Sequence, residues 1–126
     1  MKNIHVFITI GLIFSVLMAG QAKGQEKVTL AKANTETNMI AAEAAYTQQK
    51  YQEATADCMA ALEFNSNNDA AYYLMAKLSL QMNKTDDAEK FCKKAADLDT
   101  SNYYYAADLA SIYLTNNKID DARNLY

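Results

Sequence analysis

Two cysteines, Cys58 and Cys92, and two acidic pairs, Asp86-Asp87 and Asp120-Asp121, are the residues of this 126-residue chain whose types could carry chemistry. A cysteine can serve as nucleophile or metal ligand, and neighbouring carboxylates can serve as acid and base or as a cation site. Their surroundings argue against all of these. The single histidine, His5, lies near the N-terminus, so neither a Ser-His nor a Cys-His arrangement is available to the rest of the chain. No second Cys or His stands near either cysteine at metal-ligand spacing. The glycines, Gly11, Gly20 and Gly24, all precede Gln25, which leaves no glycine loop to hold a phosphate. The expectation is a non-enzymatic chain with no catalytic residues, no cofactor and no metal.

The same residues carry a different signal, because each recurs at one interval. The step from Cys58 to Cys92 equals the step between the acidic pairs, which sit inside the hexapeptides NKTDDA (Asn83 to Ala88) and NKIDDA (Asn117 to Ala122). Laid at the same 34-residue offset, QKYQEA (Gln49 to Ala54) falls into that column as a third, degenerate copy. Ala42, Ala76 and Ala110 align, as do Ala54, Ala88 and Ala122, and Ala61 with Ala95. That many coincidences in one frame mark an internal repeat and recast the hexapeptide as a structural joint. The acidic pairs then open helices, where negative charge complements the helix dipole. The cysteines become buried packing thiols. Equivalent positions on successive units lie about one helix diameter apart, roughly 10 Å, beyond the roughly 7 Å between Cα atoms that a disulfide tolerates.

The elements that position these residues are helices. Beyond Gly24 there is neither Gly nor Pro, and Ala, Leu, Met, Glu, Lys and Gln dominate. Asn, Asp, Ser and Thr punctuate the chain at FNSNND (Phe64 to Asp69), LDTSN (Leu98 to Asn102) and TNNK (Thr115 to Lys118). Asn replaces Gly where a helix ends in a left-handed residue. In the middle unit, Tyr72 to Met82 places Tyr72, Met75, Ala76 and Ser79 on one helical face, and Asp86 to Leu98 does the same with Ala88, Phe91, Cys92, Ala95 and Leu98. Helices of that length are marginal alone in water and must bury those faces against one another. The fold class expected is all-α, with antiparallel helix pairs and alanines at the tight approaches.

The N-terminal stretch, residues 1–24, reads differently. Lys2 precedes an apolar run from Val6 to Ala19, followed by the small residues Ala22 and Gly24, which is the layout of a secretory signal peptide. The run is shorter than the roughly 20 residues a spanning helix needs. Residues 1–24 are therefore expected to be cleaved, with no membrane insertion afterwards, and the mature chain to be exported to the periplasm or cell envelope of a bacterium. The whole chain carries a formal charge of −3; without Lys2 and Lys23, ten basic residues face 15 acidic ones, a charge of −5. Such a chain repels nucleic acid unless it hides a basic face, and its densest basic run, Lys90, Lys93 and Lys94, is interleaved with Glu89 and Asp97 as on a solvated helix.

With period, alanine columns and joint in hand, the chain resembles the tetratricopeptide repeat (TPR) proteins. Tyr51 and Ile119 before the second helix, and Tyr72 early in the first, fit the pattern of that family. Gln49, Asn83 and Asn117 stand where its Gly is expected, and Ser66 or Thr100 where its Pro is expected. The resemblance implies an α-solenoid of about two and a half repeats over residues 35–126, divided as 35–68, 69–102 and a truncated 103–126, after a linker at 25–34. It further implies a protein or peptide partner held in a groove lined by the first helix of each pair. The face of that helix turned away from its packing contacts carries Met39, Glu43 and Tyr46, then Tyr73, Lys77 and Leu80, then Tyr104, Ser111 and Leu114. Members of the family that grip C-terminal carboxylates use Lys and Asn on this face; Met39, Glu43 and Tyr73 break that pattern. Two functions follow as expectations. The chain is a protein-protein interaction scaffold, or it is the N-terminal sensory or docking region of a larger protein with an enzymatic or membrane signalling domain beyond Tyr126.

Overall fold

The computed structural model describes the backbone of residues 2–125 and the side chains of residues 23–125. The expected leader, residues 1–24, therefore lies almost wholly outside the described side chains. The chain separates into two units, Met1–Ala33 and Asn34–Tyr126. Helix α1 spans Lys2–Thr47 and runs through both. Residues 25–34, read as a linker from sequence, are part of that helix, as a stretch of good helix formers without Gly or Pro allows. Among the described residues, no helix is long and apolar enough to cross a membrane.

The second unit continues with α2 (Tyr51–Phe64), α3 (Asp69–Gln81), α4 (Thr85–Leu98), α5 (Tyr103–Thr115) and α6 (Ile119–Asn124). These are all-α hairpins stacked in order: α2 packs on α3, α3 on α4, α4 on α5 and α5 on α6. The turns inside each pair are one motif used three times. Gln49, Asn83 and Asn117 hold φ of 60°, 58° and 61°. After each, the next amide reaches back into the last turn of the preceding helix: Lys50 N donates to Ala45 O (2.9 Å), Lys84 N to Ser79 O (2.8 Å) and Lys118 N to Tyr113 O (2.7 Å). The left-handed residue itself donates to Tyr46 O, Leu80 O or Leu114 O. This is a Schellman closure, in which asparagine accepts positive φ more readily than most residues and takes the place of glycine.

The turns between pairs use a second device. Asn65 Oδ1 accepts from Asn67 N (3.2 Å), and in the equivalent turn Asp99 Oδ1 accepts from Ser101 N (3.1 Å). The next helix is then capped by asparagine: Asn68 Oδ1 accepts from Ala71 N and Asn102 Oδ1 from Tyr104 N, each at 3.1 Å. Because Asn68 caps it, α3 starts at Asp69, earlier than the Tyr72 start read from periodicity.

The aligned small residues form the core. Ala42, Ala76, Ala110, Ala54, Ala88, Ala122, Ala61, Ala95, Cys58 and Cys92 are all at most 4% exposed. They fall chiefly into two clusters. One joins Ala42, Ala45, Ala54 and Cys58 to Leu74, Met75 and Leu78; the other joins Ala76, Ala88 and Cys92 to Leu109, Ala110, Ile112, Tyr113 and Ala122. Each cluster bridges one helix pair and the next, so burial is continuous along the stack although no single pair is self-sufficient.

Candidate functional site

Three of the nine groove residues read from sequence meet in space. Lys77 Nζ lies 5.1 Å from the ring centroid of Tyr46 and 5.3 Å from that of Tyr73, joining the last turn of α1 to α3. Tyr73 goes on to α5: its ring lies 4.7 Å from that of Tyr105, and its hydroxyl donates to Asp108 Oδ2. Tyr105 in turn donates to Asp69 Oδ2 at 2.8 Å. The result is a strip of aromatic rings, one ammonium and two carboxylates that crosses the first helix of all three pairs.

The other six residues are placed around it. Met39 is half-buried against the first core cluster, as Tyr46 is. Glu43 and Ser111 are exposed. Leu80 and Leu114 occupy the slot of Tyr46 one and two repeats on, and both are solvent-facing, Leu114 at 57%. Tyr104 is 75% exposed, with its ring set edge-on to that of Tyr103 at 6.2 Å. Tyr105, Asp108 and Asp69 were missed by the sequence reading. Tyr105 is buried, Asp69 half-buried and Asp108 exposed; helical periodicity marks the burial of the tyrosine but not which polar partner it will find.

Burial holds the tyrosines and cysteines of this region in their neutral forms. Burial, with Asp108 and its hydrogen bond adding to it, pushes the Tyr73 hydroxyl up; burial and the bond to Asp69 push Tyr105 up to about 12. Both are neutral hydrogen-bond donors at physiological pH. Burial also pushes both thiols up to about 12, helped by Asp57 and Glu43 at Cys58 and by Asp108 at Cys92. Cys92 Sγ donates to Tyr105 O at 3.6 Å, and both cysteines are free and buried. Thiols so held do not supply the thiolate that nucleophilic attack or metal ligation requires. Among the described residues there is no group of His, Cys, Asp and Glu positioned to hold a metal ion.

A second concavity was not anticipated. A cleft of about 560 Å³ opens between α2 and α4 over α3, lined chiefly by Met59, Leu62, Met75, Met82 and Phe91. Periodicity assigned Met75 and Phe91 to packing faces. Met75 is buried as expected, at 7% exposed, while Phe91 is half-buried beside the cleft.

A family model matches the middle of the chain. The model described as "Tetratricopeptide repeat" covers residues 45–107, half of the chain. The chain belongs to the tetratricopeptide repeat family. Solved TPR structures share its fold. The Arabidopsis OM64 TPR domain superposes with a TM-score of 0.69 at 20% identity, covering 75% of this chain and 78% of that one. MamA from Desulfovibrio magneticus RS-1 gives 0.67 at 17% identity, covering 85% of this chain and 64% of its own. The first TPR of Spaghetti (RPAP3), bound to the HSP90 peptide SRMEEVD, gives 0.63 at 20% identity over 78% and 83%. A search of curated proteins found no match to this TPR chain.

Proposed function

We propose that the chain is a non-enzymatic interaction scaffold that holds a peptide or protein segment on the face formed by α1, α3 and α5. The observation that carries this reading is the contrast within that face. Its middle is fixed by the Tyr46, Lys77 and Tyr73 strip, while Leu80, Tyr104 and Leu114 stand exposed around it. A preorganised aromatic platform ringed by uncovered apolar side chains is a favourable anchor for a partner, because little side-chain freedom is lost on binding.

The chemistry of the face also narrows the ligand. The first TPR of Spaghetti is bound to the HSP90 peptide SRMEEVD, which carries three carboxylate side chains against one guanidinium. In the present chain the one ammonium of the strip, Lys77, lies over two rings, and Glu43 is exposed on the same face. The surface therefore favours a segment recognised by apolar and aromatic contact over a clamped carboxylate. The leader-like residues 1–24 support export, with the partner in the bacterial cell envelope.

A photocrosslinking amino acid placed at Leu80 or at Leu114 in the chain expressed in its native host tests the face. Capture of one and the same protein from both positions, and not from the exposed Ala56 on α2, is the expected result. Loss of capture from Leu114 in a Leu80→Ala plus Tyr104→Ala background, at unchanged helicity, would complete the case. Cell fractionation with a C-terminal tag checks export; retention of the full-length chain in the cytoplasm would remove that part of the reading.

A further inference from the structure

We propose that the cleft between α2 and α4 is a second docking surface, shaped for an amphipathic segment of a partner protein that carries apolar side chains with acidic residues at one end. It shares no residue with the α1, α3 and α5 face. Its floor is Met75 and Ser79 on α3, and its walls are Met59 and Leu62 on α2 and Phe91 on α4. Met59 is 56% exposed, and the volume of about 560 Å³ lies in the range of ligand-holding pockets. Three methionines line it with Met82 included, and these flexible thioethers adapt to the side chains they receive. Rigid elements on both sides make it a groove of the kind that accepts one face of a helix.

The acidic end of the partner follows from charge. Tyr72 and Phe91 are shared with an adjoining depression of about 370 Å³ that also contacts Lys90, Lys93, Lys94 and Asp97. The carboxylates that interleave with these lysines in sequence are engaged. Glu89 holds Lys118 at 2.6 Å and Asn116 at 2.8 Å, on the side towards α5. Asp97 holds Lys93 at 2.9 Å. Lys94 Nζ lies 5.9 Å over the Tyr72 ring. Among the described residues neither Lys90 nor Lys94 has a carboxylate within salt-bridge distance. Elsewhere on the rim stand Glu63 on α2 and Lys84 and Asp87 at the turn end, so the excess of lysines lies beyond Tyr72 and Phe91. On a chain of net charge −3, this is the place where an acidic segment is drawn in and the same segment with lysines is repelled.

The full chain is titrated with a labelled helix-forming peptide of about four turns, bearing leucines on one face and three glutamates at one end, and with its twin in which lysines replace the glutamates. The acidic peptide is expected to bind at least about tenfold more tightly than the basic twin, and Lys90→Glu plus Lys94→Glu to reverse that order. Ser79→Tyr, which fills the cleft, is expected to abolish binding of both. Should that variant fail to fold, the exposed substitution Met59→Gln is expected to weaken binding by about fivefold. Tyr104→Ala plus Leu80→Ala, on the other face, is expected to leave it unchanged. Equal affinity for the twins, no binding of either at millimolar concentration, or binding that survives both Ser79→Tyr and Met59→Gln would overturn the proposal. So would adsorption to phosphatidylglycerol vesicles that depends on Lys90 and Lys94 while the acidic peptide does not bind.

Discussion

At the junction of the second and third helix pairs, Glu89 accepts from Lys118 and Asn116, and Tyr113 lies buried with Lys118 Nζ 6.0 Å over its ring. At the junction of the first and second pairs, the slots one repeat earlier hold Thr55, Lys84, Met82 and Ser79, and all four line the open cleft. The other side of the stack repeats the contrast. Tyr73 with Asp108 and Tyr105 with Asp69 link α3 to α5, whereas the corresponding slots of the earlier junction are Met39, Leu74, Ala71 and Thr35. The alanine and cysteine columns are the same in both places and are equally buried. Small residues thus set the spacing of the helices, and the residues between them decide whether a junction is stapled by polar side chains or left as an apolar groove. A serine where its counterpart carries a tyrosine is enough to leave a cavity's worth of space.

The comparison is broken most severely by converting the closed junction into the open one. Tyr113→Ser removes a buried ring from the second cluster and should cost about 3 kcal/mol, in line with other aromatic truncations in a core. Urea denaturation followed by circular dichroism measures it. An array of few repeats has little stability in reserve, so a loss of that size should bring the midpoint down sharply. A cost below about 1 kcal/mol would mean that the ring is not what closes the junction.

Hydroxyl deletion sharpens the comparison with a smaller perturbation. Tyr105→Phe and Tyr73→Phe keep the rings and remove the bonds to Asp69 and Asp108, at about 1 kcal/mol each. Tyr46→Phe, at the junction without such a staple, should stay within about 0.5 kcal/mol of the parent.

Stability against pH should report the same asymmetry from both ends. The Tyr105 hydroxyl titrates near 10 when unfolded and is pushed up to about 12 by burial and Asp69, so its contribution is complete below pH 10 and is lost as pH rises through about 12. Tyr73 shifts in the same direction. Glu89 is held below its ordinary 4.5 by the bonds from Lys118 and then Asn116; its contribution is complete above that value and is lost as pH falls through the depressed one. Tyr105→Phe should flatten the alkaline limb between pH 10 and 12, and Glu89→Gln the acid limb below 4.5. Both effects belong to the second junction.

The fold was largely legible because its determinants are local and repeated. Asn83 and Asn117 announced the left-handed turn, the 34-residue register aligned the alanines, and the absence of Gly and Pro after Gly24 left helices as the only economical choice. Gln49, which breaks the asparagine pattern, adopts the same φ, and the same two backbone hydrogen bonds close its turn. The candidate surfaces were legible only in part. Projection placed Tyr46, Tyr73 and Lys77 on one face, but that Lys77 settles between the two rings depends on distances across a junction. The cleft is not written in the identities of the register; its differences, Ser79 against Tyr113 and Thr55 against Glu89, carry that information. Hydrophobic periodicity says that Met75 and Phe91 turn inward; it does not say that Met59, Leu62 and Met82 leave a cleft beside them.

The smallest expected effect concerns a feature that touches both junctions. Lys77 spans Tyr46 and Tyr73, and Tyr73 stacks on Tyr105, so the rings form a line from the first pair to the third. Lys77→Gln removes the ammonium while keeping a polar side chain, and a partly solvated cation over aromatic rings contributes about 0.5 kcal/mol. A double-mutant cycle with Tyr46→Leu should return most of that value as coupling, since the leucine offers no ring face to the cation. A cycle of Lys77→Gln with Tyr105→Phe should return none, because Phe preserves the stack on Tyr73 and alters only the bond to Asp69. Coupling in the second cycle as large as in the first would show that Tyr73 shifts as a unit with both neighbours, and the open and closed junctions would then be one cooperative structure rather than two independent ones.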